Sequence, residues 1–252
     1  MNTIKYGTDP LQTADIYEPQ QRNGAAIIFI HGGAWLRGDK AGGKHLATVL
    51  SDHGYVVAAI NYRLAPAAQM PAAQEDLDSF VAFMQQSSDF SSLKLGLLGV
   101  SVGGTMALTT SMHTGLPVST WSAVVQSQDW INRHPGVKPS LDGKKELGLT
   151  DQHEINAAFY QNFINTYLGT VTQDKLAQLD PLNQETTKPG PIAMMNSLDE
   201  IVPVEDVMKF FKRVAKVQPE SRLTFFPGWQ HAQGYEAQAL DQTRAFFDLH
   251  LL

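Results

Sequence analysis

The sequence predicts an α/β protein built on a mainly parallel, doubly wound sheet. Two observations carry this. Several apolar runs, among them Ala25 to Ile30 and Leu93 to Val100, show no polar alternation, as expected of strands covered on both faces. Between such runs the apolar spacing changes to that of helices, and strand alternating with helix over most of a chain argues a parallel sheet. A third observation concerns the glycines, which cluster where strands end: His31-Gly32-Gly33, Gly99-Val100-Ser101-Val102-Gly103-Gly104 and Pro227-Gly228.

In order, residues 3–8 and 12–18 alternate and read as an antiparallel pair at a sheet edge, followed by a turn at 20–24. Ala25 to Ile30 is a central strand. A helical stretch near Gly43 to His53 leads to the strand Tyr55 to Ile60, and Pro71 to Gln86 carries Leu77, Phe80, Val81 and Met84 on one helical face. The run from Leu93 is a buried strand, Val102 to Met112 a helix, and Trp121 to Gln126 a further strand. From Asp129 to about Gln178 the strand pattern stops and one amphipathic helix, about Ile155 to Tyr167, stands out, which reads as an inserted helical cap over about 129–178. Pro191 to Asn196 resumes the sheet; Val204 to Val217 is a helix, Arg222 to Phe226 the last strand and Tyr235 to Leu251 the closing helix. With 252 residues and no long linker, residues 1–252 are expected to form a single domain around one large core.

Composition excludes several classes. The 25 acidic and 19 basic side chains leave a net charge of −6 and no basic run, so nucleic acid is not an expected partner, nor is stable association with an anionic membrane. No cysteine is present, which rules out disulfides, thiol catalysis and cysteine-ligated zinc. The first ten residues lack the charged and apolar regions of a secretory signal, and no stretch of about 18 apolar residues occurs, so a soluble cytoplasmic protein is expected. A homodimer through exposed faces of the last strand and helix is one arrangement open to it.

Ser101 lies in the turn between a buried strand and a helix. A serine so placed needs small neighbours, because bulk at Gly99 or Gly103 would collide with the adjoining strand and helix. Serine is a weak nucleophile until a base takes its proton, and the base needs a third group to hold one tautomer. His231, directly after the last strand, is the expected base; His45, His53 and His113 fall on helical stretches, His134 and His153 in the cap, and His250 at the chain end. Asp199, after the penultimate strand, is the expected acid, with Asp129 past the Trp121 strand and its neighbour Glu200 as competitors. Glu200 is set aside because its longer side chain is expected to point elsewhere. The backbone N–H groups of Gly32, Gly33 and Val102 suit an oxyanion hole, in which each donor typically gives about 100- to 1000-fold. No H-E-x-x-H pair suggests a metal, and no glycine-rich phosphate loop is present, so no cofactor is expected.

Taken together these motifs resemble the hormone-sensitive-lipase-like branch of the α/β-hydrolase esterases. The likeness runs through His31-Gly32-Gly33-Ala34-Trp35 with Gly38-Asp39-Lys40, Asn61-Tyr62-Arg63-Leu64-Ala65-Pro66, Pro71 to Asp76, Gly99 to Gly104, Tyr167-Leu168-Gly169, Asp199 and His231. It implies an α/β-hydrolase fold, Ser101 as nucleophile, Asp199 as acid, His231 as base, and structural roles for His31 and for Arg63 paired with Glu75 or Asp76. The chain departs from the family where a third glycine is Ala34, where the elbow's usual acid is Val100, and where the glutamate after Leu-Ala-Pro is Ala67. Such a protein is expected to be a serine esterase for small-molecule, short-chain acyl esters, with Trp35, Trp130, Phe159 and Phe163 as substrate-pocket candidates. An arylformamidase or amidase with the same triad is the alternative, and a hydrolase-fold receptor without catalysis is a third.

Overall fold

The computed structural model describes residues 1–184 and 189–252, with Gln233 described by its backbone alone. Its strands and helices follow the chain as β1 (Asn2–Lys5), β2 (Thr13–Tyr17), β3 (Ala25–Ile30), α1 (Lys44–Asp52), β4 (Val56–Ile60), α2 (Ala72–Gln86), β5 (Lys94–Val100), α3 (Val102–Thr114) and β6 (Val118–Trp121). Four helices come before the next strand: α4 (Ser127–Arg133), α5 (Gly143–Glu146), α6 (Gln152–Leu168) and α7 (Gln173–Leu179). The chain closes with β7 (Ile192–Ser197), α8 (Val204–Val214), β8 (Arg222–Phe226) and α9 (Glu236–Leu251). The eight strands form one sheet in the order β1-β2-β4-β3-β5-β6-β7-β8. The first two pairings, β1 with β2 and β2 with β4, are antiparallel and all the others parallel. This is the expected doubly wound α/β-hydrolase architecture.

The fully apolar strands are the central ones. Every residue of β3 and of β4 is buried, and side chains on opposite faces of the sheet feed two clusters: Ile28, Ile30, Ala58 and Ile60 on one, Ile27, Phe29, Val57 and Ala59 on the other. Helices α2 and α3 cover the first face through Leu77, Phe80, Met106 and Leu108; α1 and α9 cover the second through Leu46, Leu50, Phe246 and Phe247. Burial on both faces favours parallel strands without alternation, as seen here.

One strand is displaced from its expected place. The apolar run from Trp121 to Gln126 reads as a strand, yet β6 ends at Trp121. Ser122 turns the chain at φ 54°, and Ala123, Val124 and Val125 are buried beyond the strand, against α3, where Thr105 Oγ donates to the Val124 carbonyl at 2.7 Å. Buried loop and buried strand share an apolar composition, and only the backbone turn separates them. The helical segment between β6 and β7 is anchored at its start by Asp180, which accepts the N–H groups of Ser127 and Gln128 at 2.6 and 2.9 Å. Burial pushes that carboxyl up to about 7.

The junction of β5 and α3 depends on two glycines. A Cβ on Gly99 would lie 2.3 Å from the Gly103 carbonyl oxygen, and one on Gly103 would lie 2.3 Å from the carbonyl oxygen of Ile30. Each contact is to backbone, which cannot give way without moving a strand. Gly103→Ala is therefore expected to cost about 3 kcal/mol or more, at the upper end of overpacking substitutions, measured as a lower midpoint in urea unfolding; an unchanged midpoint would contradict the packing described.

Candidate active site

Strands β3, β5, β7 and β8 all end at the same edge of the sheet, and their exit loops meet in a cavity of about 850 Å³. Ser101 stands at the exit of β5 with φ 54° and ψ −126°. A non-glycine residue rarely adopts this conformation, which costs on the order of 1–3 kcal/mol and persists only where the surroundings enforce it. Here the enforcement is the ladder: the Ser101 N–H bonds the Trp121 carbonyl at 2.8 Å, continuing β5 against β6, while its own carbonyl accepts from Gly104 N–H at 2.8 Å to begin α3. The serine side chain is left at the cavity wall.

The loop after β3 approaches Ser101 closely. A Cβ on Gly32 would lie 3.0 Å from Ser101 Cβ, and Gly33, at φ 114°, has the Arg37 carbonyl 1.9 Å from where a Cβ would be. Both glycines line the cavity, so their backbone faces it. Val102 has a buried side chain; its relevance is the backbone N–H, which as the first of α3 has no acceptor within the helix. Ala34 and Trp35 follow at φ 61° and 58° and turn the loop back on itself. His31 is buried under the loop, its Nδ1–H donating to the Gly32 carbonyl at 2.6 Å and its ring stacked on Tyr62 at 4.3 Å. Burial holds its pKa below the usual histidine value, so it stays neutral and structural. Arg63 pairs with Asp76 at 2.7 Å and with Glu75 at 3.4 Å, as the resemblance implies.

His231 lines the cavity, and its Nδ1 hydrogen-bonds a carboxylate, leaving Nε2 as the free ring nitrogen for proton transfer. That carboxylate is Glu200, not the expected Asp199. The backbone explains the exchange. Leu198 and Asp199 still bond β8 and its exit, through the carbonyls of Phe226 and Gly228 at 3.0 Å each; the Asp199 side chain is exposed where it lines the same cavity and, among the described residues, makes no hydrogen bond or ion pair. Glu200 folds back beneath the loop, its side chain fully buried. Its Oε1 receives Ser122 Oγ–H at 2.8 Å, the Ser197 N–H at 2.9 Å and Asn196 Nδ2–H at 3.3 Å, while Oε2 takes His231. The additional methylene, taken from sequence as a reason to set Glu200 aside, is what lets it reach. Asp129 is not at the histidine: it pairs with Lys209 on the surface at 2.7 Å.

Of the four pocket candidates, Phe159 and Phe163 on α6 line the cavity. Trp35 and Trp130 do not. Trp35 is wholly buried and stacks on Tyr167 at 4.3 Å, fastening the β3 loop to α6; Trp130 is buried against Tyr160 and His134. Their apolar area is spent on packing. Sequence reasoning missed two rim residues. Arg37 lies 5.8 Å over the Phe159 ring, joining the β3 loop to α6, and Trp229 lines the cavity while 72% exposed, against at most 4% for the other three tryptophans. Its position two residues before His231 was the available signal. Among the described residues no group of three His, Asp or Glu side chains is placed to hold a metal ion, and no helix is long and apolar enough to cross a membrane.

The geometry can be set against known proteins. An acetyl esterase of Salmonella dublin is 30% identical over 87% of this chain and 68% of its own length. A kynurenine formamidase of Meyerozyma guilliermondii is 38% identical over 42% of this chain and 40% of its own, and a probable isoprenylcysteine alpha-carbonyl methylesterase of Oryza sativa 25% identical over 91% and 56%. The chain thus spans about half the length of the latter two. In fold, a hyperthermophilic esterase from Pyrobaculum calidifontis superposes with a TM-score of 0.76 at 19% identity, covering 95% of this chain and 80% of that one.

Exchanging the two acids tests which of them serves His231. Glu200→Gln is expected to lower kcat on a short-chain aryl ester by roughly 1000- to 10,000-fold, as amide replacement of a triad acid does by fixing the wrong tautomer, whereas Asp199→Asn keeps kcat of the same order. The reverse ranking would restore Asp199. The BD-FAE family matches residues 14–214, and with that match and the acetyl esterase the chain belongs to the BD-FAE family, within the hormone-sensitive-lipase-like branch of the α/β-hydrolase esterases.

Proposed function

We propose that the chain is a serine carboxylesterase acting on small-molecule, short-chain acyl esters through Ser101, His231 and Glu200. The observation that carries this is the strained elbow serine sharing one cavity with a histidine whose far nitrogen is held by a buried carboxylate. His231 Nε2 takes the proton as Ser101 Oγ bonds the ester carbonyl carbon, and the carbonyl π electrons move to oxygen. The N–H groups of Gly32, Gly33 and Val102 receive that oxyanion. Collapse breaks the bond to the alcohol oxygen, which leaves with the proton from His231. Water then repeats the sequence on the acyl-enzyme, giving the acid and free serine. None of these steps calls for a cofactor.

The helical segment between β6 and β7 acts in this scheme as a cap, with Phe159, Tyr160 and Phe163 as an apolar wall and the exposed Trp229 also lining the cavity. A cavity lined by aromatic side chains and much larger than an acetyl group leaves room for a bulky alcohol or aryl leaving group. A second activity is favoured by one specific observation, the 38% identity to a kynurenine formamidase over 112 residues. The same nucleophile, base and oxyanion hole serve a formamide, so formamidase activity is the alternative.

Ser101→Ala is expected to reduce turnover of p-nitrophenyl acetate by roughly 10⁴-fold or more in folded protein and to abolish labelling by a fluorophosphonate probe. Undiminished turnover or labelling would remove Ser101 from the reaction. Rates of the unaltered protein on p-nitrophenyl esters of increasing acyl length, beside N-formylkynurenine, separate the two substrate classes: the esterase assignment expects the highest kcat/KM on acetyl or butyryl esters, and a formamide preference would overturn it.

A further inference from the structure

Glu200 presents an electrostatic problem that the triad alone does not solve. Its side chain has no exposed surface, and among the described residues its only ionisable bonding partner is His231. A buried carboxylate without a lysine or arginine must have its oxygens met by neutral donors. Three serve it, the Ser197 N–H and Asn196 amide from β7 and the Ser122 hydroxyl from the end of β6.

Ser122 is the unusual member. Its backbone sits at φ 54°, a region that glycine occupies at far lower cost, so the backbone turn does not by itself account for a serine. Proton counting fixes its bonds. The Ser122 hydroxyl donates to Glu200 Oε1, which also accepts two N–H groups, and Oγ is left to accept. It accepts the Ala232 N–H at 3.0 Å and faces the Tyr235 hydroxyl at 2.5 Å, which must then be the donor, sharing its single proton with the Met195 carbonyl at 2.9 Å. Burial and the nearby Glu200 charge push the Tyr235 phenol well above its usual pKa, so that proton is retained at neutral pH. The result is a set of hydrogen bonds that converge on Glu200: Tyr235 donates to Ser122 and Ser122 to Oε1, while the His231 Nδ1–H donates to Oε2. The same Ser122 oxygen also grips Ala232, the residue next to the histidine.

We propose that Ser122, oriented by Tyr235, is a positioning residue for this site: one hydroxyl fixes both the Glu200 carboxylate and the loop that carries His231. This rests on the assignment of Glu200 and His231 to catalysis. Among the described residues the ionisable groups that face Glu200 are His231 and Tyr235 from the β8–α9 connection; β6 and β7 contribute the neutral Ser122, Asn196 and Ser197, and the adjacent Asp199 is exposed and lines the cavity without bonding to Glu200.

The test uses Ser122→Gly, which removes the hydroxyl while easing the backbone, together with Tyr235→Phe. Loss of a donor to a charged group should lower kcat by about 10- to 100-fold for Ser122→Gly with KM nearly unchanged. The acidic limb of the kcat/KM pH profile should also move to higher pH, because a carboxylate short of a donor holds the imidazolium proton more strongly. Tyr235→Phe should move the limb the same way by less. A melting-temperature loss alone, with both pH profiles in place and kcat per folded molecule intact, would overturn the proposal and leave Ser122 a packing residue. If Ser122→Gly does not fold, the Tyr235→Phe profile decides by the same criterion. Full activity in Glu200→Gln, by contrast, would sink the triad itself, which keeps the two failures distinguishable.

Discussion

A carboxylate removed from water must have its oxygens met by donors, and the contact between Glu200 and His231 depends on such a shell. Strands β6 and β7 lie side by side, so the end of one delivers Ser122 and the end of the other delivers Asn196 and Ser197 to a single oxygen of Glu200. The second oxygen is thereby aimed at the loop after β8, where His231 waits. Parallel pairing is what puts these exits at one level. The site is therefore a property of the sheet edge as a whole, and the side chains proposed to react are held by residues with no part in the proposed chemistry.

The same logic applies around Ser101. The β3 loop can press against Ser101 only because Gly32 has no side chain, and α3 can start directly from β5 only because Gly99 and Gly103 let backbone touch backbone. Trp35 then pins the loop to α6 by stacking on Tyr167, while Arg37 spans to Phe159 at the rim. The oxyanion-hole candidates, the elbow and the wall of the cavity are thus mechanically continuous. Strain at Ser101, Ser122, Ala34 and Trp35 is concentrated where four loops converge, as expected where a fold holds reactive groups in fixed positions.

Much of this was legible in the residues, and the exceptions share a cause. Apolar runs without alternation located the central strands, and glycines at their ends located the loops, because burial and backbone clearance leave composition behind. The placement of Ser101 and His231 at one cavity follows from their positions relative to those strands. The choice between Asp199 and Glu200 could not be read the same way: both lie beyond the end of β7, where alternation no longer sets direction, and the outcome depends on how far the ladder to β8 continues. Trp35 and Trp130 lie away from the cavity because an aromatic side chain suits a core as well as a pocket, and the buried loop after Trp121 reads as strand for the same reason.

The central claim is that Glu200, and not its neighbour, holds the proton on His231 Nδ1. Proton NMR at low temperature reads this bond directly as a far-downfield resonance from the shared Nδ1 proton. The resonance is expected in the unaltered protein and in Asp199→Asn, and should be absent in Glu200→Gln. Its survival in Glu200→Gln together with its loss in Asp199→Asn would contradict the account and return the acid to Asp199.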